Sequence, residues 1–318
     1  MDHQPQFSFK KISFFILATF LTWQSFAQSL DSEKLLNHIK YLSSDELAGR
    51  KPLSEGNLKA RTYILNELTS YKNVQALYPD FIQRFSFVNK RENKTYEDAA
   101  NLVAFIPGKR SRKVIVVTAH YDHVGVGRPD AKGDSIFNGA DDNASGTAAM
   151  LELAAYFSNN RPEHSMMFVA LDAEEMGLLG AKALVDDFPY PLEQIVLNVN
   201  LDMLSRSNKN ELYASGTYHY PEFKPILEEA SSGSDPVLKL GHDLPGTGRE
   251  DWTNSSDHGA FFDRQVPHLY FGVEDHVDYH RPSDEYKNIQ PEFYINAANL
   301  VLKCIIKLDL DLLKEENQ

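Results

Sequence analysis

Hydrophobic positions along the chain fall into two rhythms. Leu30 to Leu42 and Asn57 to Tyr71 space their apolar residues three and four apart, which predicts two amphipathic helices. The polar stretch Ser43-Ser44-Asp45-Glu46-Leu47-Ala48-Gly49-Arg50 lies between them as a loop. Phe85 to Val88 and Asn101 to Ile106 read as strands, and Pro107-Gly108 marks a turn. From there short apolar runs alternate with helical spacing. Val114 to Ala119, Met166 to Leu171, Ile195 to Leu201 and His268 to Phe271 read as buried strands. Ser145 to Phe157, Gly177 to Val185, Pro221 to Ala230 and a long closing segment, Phe293 to Leu313, read as helices.

Runs apolar on both faces, separated by helices, predict an α/β fold: a mostly parallel central sheet with helices on both faces, the early strands pairing antiparallel at one edge. No internal repeat or linker interrupts the pattern, so residues 28–318 are expected to form one domain. The N-terminus differs. Lys10-Lys11, the apolar run Ile12 to Trp23 and the ending Ser25-Phe26-Ala27 have the layout of a secretory signal peptide. Residues 1–27 are expected to be cleaved after Ala27, giving a secreted or periplasmic protein. The apolar run is short for a membrane anchor, and no cysteine near the cut would carry a lipid, so no stable anchor is expected afterwards.

Composition narrows the classes. The formal net charge of −13 lacks the basic surplus that nucleic-acid binding needs. Cys304 is the single cysteine, so no intramolecular disulfide can form; within Leu300 to Ile306 it reads as a small buried hydrophobe.

Candidate chemistry sits where the buried strands end. His120-Tyr121-Asp122 ends the first, Asp172-Ala173-Glu174-Glu175 the second and Asp202 the third. In open α/β sheets ligands bind beyond the carboxyl ends of strands. Asp122 would orient the His120 imidazole or polarise the site from behind it, and His123 would line the rim. The string Gly139-Ala140-Asp141-Asp142-Asn143-Ala144-Ser145-Gly146 exceeds what a helix N-cap requires, and its small residues permit close packing. Glu174-Glu175 places a base beside a ligand. His280 follows Tyr279 in the loop before the last helix. His120, His280, Asp202, one acid of Asp141-Asp142 and one of Glu174-Glu175 make a mixed N/O set without thiolate, which suits zinc ahead of manganese or cobalt. Five ligands exceed the needs of one tetrahedral catalytic ion, so one carboxylate shared by two ions balances the count.

In this order the motifs His-x-Asp, Gly-Ala-Asp-Asp-Asn-Ala-Ser-Gly, Glu-Glu-x-Gly-Leu-x-Gly, Leu-Asp-Met and Tyr-His-x-Pro-x-Asp resemble the secreted di-zinc aminopeptidases, a peptidase family that also contains glutamate carboxypeptidases and glutaminyl cyclases. The resemblance runs from about Leu42, including Leu-Ser-Ser-Asp-Glu-Leu-Ala-Gly-Arg, to the C-terminus. It implies a phosphorylase/hydrolase-like zinc exopeptidase architecture and two zinc ions bridged by Asp142. His120 and Asp202 would complete one ion, Glu175 and His280 the other. Glu174 would be the general base for a zinc-activated water, Asp122 a supporting residue and Asp284 structural. Ser255-Ser256-Asp257-His258 resembles the family's Ser-Asp-His segment. Asp257, His258 and Tyr279 would line the peptide pocket, which the loop Gly241 to Asn254 would help shape. A serine triad is disfavoured, because no Gly-x-Ser-x-Gly elbow exists. The rival functions are glutaminyl cyclisation, carboxypeptidase or dipeptidase action, and a catalytically dead binding ectodomain. The cyclase chemistry uses one zinc and a tryptophan-rich pocket, whereas here Tyr279 precedes His280. The dead ectodomain would have lost ligands, and none is lost here.

Overall fold

The computed structural model describes Met1, residues 28–90 and residues 92–316. The proposed signal segment and its cleavage point therefore lie almost wholly outside the described residues. Helix α1 (Ser32–Leu42) starts at Asp31, whose carboxylate accepts from the backbone N–H groups of Glu33 and Lys34 at 3.1 Å each. Helix α2 (Glu55–Ser70) is capped by Ser54 in the same way. Strands β1 (Ile82–Asn89) and β2 (Lys94–Ile106) follow, then β3 (Val114–His120) and the two-residue strands β4 (Gly125–Val126) and β5 (Ile136–Phe137). The remainder is α3 (Gly146–Asn159), β6 (Ser165–Leu171), α4 (Leu179–Asp186), β7 (Ile195–Leu201), β8 (Glu211–Ser215), α5 (Phe223–Ala230), β9 (Val237–Leu240), α6 (His258–Phe262), β10 (His268–Gly272) and α7 (Pro291–Glu316).

Eight strands form one sheet in the order β1-β2-β6-β3-β7-β10-β8-β9. The centre is parallel, since β3 runs parallel to both β6 and β7, and β7 to β10. The β1–β2 hairpin joins antiparallel at one edge. At the other, β8 lies antiparallel to β10 and parallel to β9. Neither β8 nor the edge strand β9 is visible in the hydrophobic pattern: β9 alternates exposed and half-buried positions and has no continuous apolar run.

Strand alternation divides the core in two. Ile115, Val117, Phe168 and Val199 face one side, where α1, α2, α3, α5 and α7 pack. Val116, Met167 and Val169 face the other, where Leu184 of α4 and Phe261 of α6 cover them. Burial on both faces is why the central strands read as unbroken apolar runs. Cys304 is buried on the inner face of α7, and its thiol is pushed up to about 12 by that burial. No helix among the described residues is long and apolar enough to cross a membrane.

Candidate metal centre

The parallel strands β3, β6 and β7 end at the same edge and deliver His120, the Glu174-Glu175 turn and Asp202 to it. Left-handed backbone at Ala173, Met203 and His280 turns the chain sharply just where these side chains must converge. Asp142 arrives from the loop before α3. The Asp142–Asn143 peptide there is cis. Asn143 donates to the Leu201 carbonyl at 2.9 Å, while its side-chain oxygen accepts from the N–H groups of Gly146 and Met203. One amide thus fixes Asp142 opposite Asp202. A Cβ at Gly139 would lie 2.1 Å from the Asp142 carbonyl and 2.6 Å from the His123 ring, and Gly139 has φ +58°, so only glycine fits.

Two groups of donor atoms result, and they share Asp142. His120 Nε2 lies 3.3 Å from Asp142 Oδ1 and 3.4 Å from Asp202 Oδ1. His280 Nε2 lies 3.0 Å from Asp142 Oδ2 and 3.3 Å from Glu175 Oε1. Ligands about 2.0–2.1 Å from a tetrahedral zinc stand about 3.3–3.4 Å from one another, so both groups have the spacing of a ligand shell. The atoms are also short of partners. Asp202 Oδ1, Glu175 Oε1 and both nitrogens of His123 are buried without a hydrogen bond, an expensive state unless a cation satisfies them. The residues present therefore fit zinc.

The electrostatics agree. Burial pushes the His120 ring down, yet the surrounding carboxylates of Asp202, Glu174 and Asp142 hold it well above the ordinary imidazole value. Burial and the Asp142 charge push Glu175 up, but His123 and His280 hold it at about 2. For Glu174, burial drives the carboxyl well above the usual range, and the charges of Asp257, Glu175 and Asp202 add to it against the pull of His120. Adjacent carboxylates are thus split, one held ionised and one proton-hungry, as a ligand beside a base requires.

Supporting residues differ in detail from expectation. His120 Nδ1 faces the Asp122 backbone carbonyl at 3.2 Å, with the Asp122 carboxylate in charge contact behind it at 3.7 Å. The Asp122 carboxylate also accepts from the N–H groups of Glu174 and Glu175, at 3.0 and 3.4 Å, and fixes that turn. Asp284 accepts from the N–H groups of Asp141 and Asp142. Asp141 in turn binds His276 Nε2 at 3.0 Å and the Ser205 N–H at 2.6 Å.

Three placements correct the sequence reading. His123 is not on the rim: it is fully buried, with Nδ1 2.7 Å from Glu175 Oε1. Asp257 and His258 do not line the cleft. They are folded beneath its floor, where His258 Nε2 donates to the Trp252 carbonyl at 2.8 Å. Arg50, given no role in the sequence, is buried behind the centre. Its guanidinium donates to the carbonyls of Tyr121, Leu42, Asn138 and Gly139, binding the first loop to both the β3 end and the Asp142 loop. Burial lowers its pKa to about 10, although Asp142, Asp122, Asp284 and Glu175 oppose this. The Leu-Ser-Ser-Asp-Glu-Leu-Ala-Gly-Arg segment ends at this residue, but nothing local shows what it binds, since its four acceptors lie as far as 89 positions away.

A cleft of about 650 Å³ opens over the centre. His120, Asp142, Glu174 and Asp202 form its floor, and Tyr279, Tyr270 and Met203 line its sides. The loop containing Gly248, Arg249, Asp251 and Trp252 forms another wall, with Trp252 stacked on His242 at 3.7 Å.

Peptidase family M28 matches the chain over residues 101–305. Aminopeptidase YwaD of Bacillus subtilis is 30% identical over 204 residues, which cover 60% of this chain and 40% of that protein. The chain therefore spans about two-fifths of that curated relative. Among solved structures, a leucine aminopeptidase precursor from Bacteroides thetaiotaomicron superposes with TM-score 0.70 at 18% identity, covering 87% of this chain and 97% of that one. A glutaminyl cyclase from the same organism, bound to N-acetylhistamine, also gives 0.70 at 18% identity, covering 87% and 98%.

Proposed function

Because the chain belongs to peptidase family M28, we propose that it is a zinc-dependent exopeptidase that removes N-terminal residues from peptides. The observation that carries this reading is the pair of partner-poor ligand groups meeting at Asp142, with Glu174 beside them on the floor of an open cleft. His120, Asp142 and Asp202 would hold one zinc, and Asp142, Glu175 and His280 the other. When bound, the ions polarise the scissile carbonyl and acidify a water.

The chain's own groups do the rest. Glu174 takes the proton of the attacking water on its carboxylate and returns it to the amine nitrogen as the C–N bond breaks. Burial and the neighbouring acids raise its proton affinity, which favours taking the water proton. Asp122 keeps Glu174 and Glu175 from exchanging places by holding both backbone N–H groups. Asp251 and Asp275 stand in the cleft wall with Arg249, and the two acids outnumber the one base there, so the wall favours a substrate ammonium over a carboxylate. This supports N-terminal over C-terminal trimming. Residues 28–318 act in this reading as one peptidase domain, and the basic-apolar start of the chain as a cleaved export signal.

Chromogenic aminoacyl anilides and short peptides, each with free and acetylated N-termini, test the proposal. Hydrolysis is expected only with a free amine and only with zinc present. Cleavage confined to blocked substrates would overturn N-terminal trimming. Ring closure of an N-terminal glutaminyl peptide without hydrolysis would replace it with cyclase chemistry, the activity for which one structural neighbour is named.

A further inference from the structure

The centre contains a third imidazole that the set of five ligands leaves without a task. His123 is fully buried and neither ring nitrogen makes a hydrogen bond. A buried imidazole has one nitrogen that donates and one that accepts, and leaving both unused costs free energy that packing alone does not return. Its Nδ1 lies 2.7 Å from Glu175 Oε1 and 3.8 Å from Asp142 Oδ2. These are the same two oxygens that face His280 Nε2. The two rings meet edge to face, with centroids 5.7 Å apart and planes at 68°, so each presents a nitrogen to the same pair of oxygens.

We propose that His123 Nδ1 is a fourth protein ligand for the zinc held by Asp142, Glu175 and His280. The inference rests on the two-zinc reading above. Without a metal the 2.7 Å approach of His123 to Glu175 is an ion-pair contact; His123, Asp142 and Glu175 each offer a donor atom within 4.8 Å of the others, so a cation can take the place of the shared proton. The two partner-poor atoms facing each other mark a place for a cation.

The rigidity of the two histidines also differs. His280 sits in a loop with 40% of its side chain exposed. His123 is enclosed: its N–H reaches the Arg50 carbonyl at 3.4 Å, and its ring packs on the one surface that Gly139 leaves open. The enclosed ring would hold the ion when the exposed one moves.

The consequence is asymmetry. Four protein donors close a tetrahedral shell, whereas His120, Asp142 and Asp202 leave a position open. Water and the scissile carbonyl would then be served on the His120 side, and the other zinc would contribute charge.

Zinc-edge X-ray absorption on the zinc-loaded full chain counts imidazoles directly. Three per two ions are expected. His123→Ala should reduce this to two and weaken one of the two ions at least about tenfold in chelator competition, leaving the other unchanged. Two imidazoles in the unaltered protein, or a folded His123→Ala variant that binds both ions as tightly as before, would overturn the proposal. If the variant does not fold, the count on the unaltered protein decides by itself. Unaltered protein holding fewer than two ions would bring down the two-zinc reading as well, which separates the two failures.

Discussion

Two pairs of buried histidines share residue type and depth of burial and differ in the charges around them. His120 and His123 stand among carboxylates, and the acids around His120 hold its ring well above the ordinary imidazole value despite burial. His258 and His268 stand among rings: their centroids are 5.0 Å apart, with Tyr270 5.0 Å from His258 and Phe262 5.6 Å from His268. Burial there lowers His258 to about 4 and His268 to about 2, with His258 and His219 adding to the effect on His268. The same side chain is thus a cation-seeking donor in one place and a neutral aromatic filler in the other. What separates them is the sign of the nearest charges, since both sets are buried to the same degree.

The sharpest way to break this comparison is to strip charge from one side and hydrogen bonding from the other. Asp142→Asn removes the carboxylate common to both ligand groups. Zinc content is expected to fall from two ions toward none, and hydrolysis to background, by metal analysis and anilide assay. His258→Phe removes only a hydrogen bond to the Trp252 carbonyl, so zinc content is expected to stay at that of the unaltered protein. Zinc loss in His258→Phe would erase the distinction.

Glu174→Gln tests the division of labour within the acidic set. It is expected to lower kcat by about two to four orders of magnitude with zinc content intact, because the amide can neither take nor return a proton. A variant that loses zinc in parallel would make Glu174 a ligand.

The smallest effect concerns acid. The unfolded chain protonates His258 near 6.5, the folded one only near 4. Between those values the unfolded state binds more protons, so stability is complete above about pH 6.5 and declines as pH falls toward 4. Replacing His258 with Phe should flatten that decline by about 3 kcal/mol at most, measured by denaturant unfolding of the zinc-free protein across the window. A decline of unchanged slope would show that the ring is not kept neutral.

Why the site is legible in the sequence and its surroundings are not follows from which signals are local. Val114 to Ala119 and Ile195 to Leu201 are apolar on both faces, so their strands are visible in one dimension, and His120 and Asp202 follow directly from their ends. Apolar spacing places the start of α4 at Gly177, but the helix begins at Leu179, because Gly177 and Leu178 adopt positive φ and hold the turn open until then. Strand β9 escapes a reading by pattern because an edge strand that alternates with solvent carries little apolar signal. The burial of His123 and of Asp257-His258 depends on distant elements folding over them, and their immediate neighbours in sequence look like any polar loop.

Arg50 carries one more lesson, about where the working unit begins. The match to the M28 family model starts at residue 101, although the likeness of single motifs reaches back to about Leu42. Yet a side chain half that distance along the chain holds the carbonyls of Asn138 and Gly139, just ahead of the aspartate on which both ligand groups depend. A fragment cut to residues 101–305 would keep every candidate zinc ligand and lose the clamp that ties the first loop to the Asp142 loop. Its ions would be held by residues free to drift apart. In this molecule the edge of the family-model match and the edge of the working unit are different lines, and an arginine fixes the second.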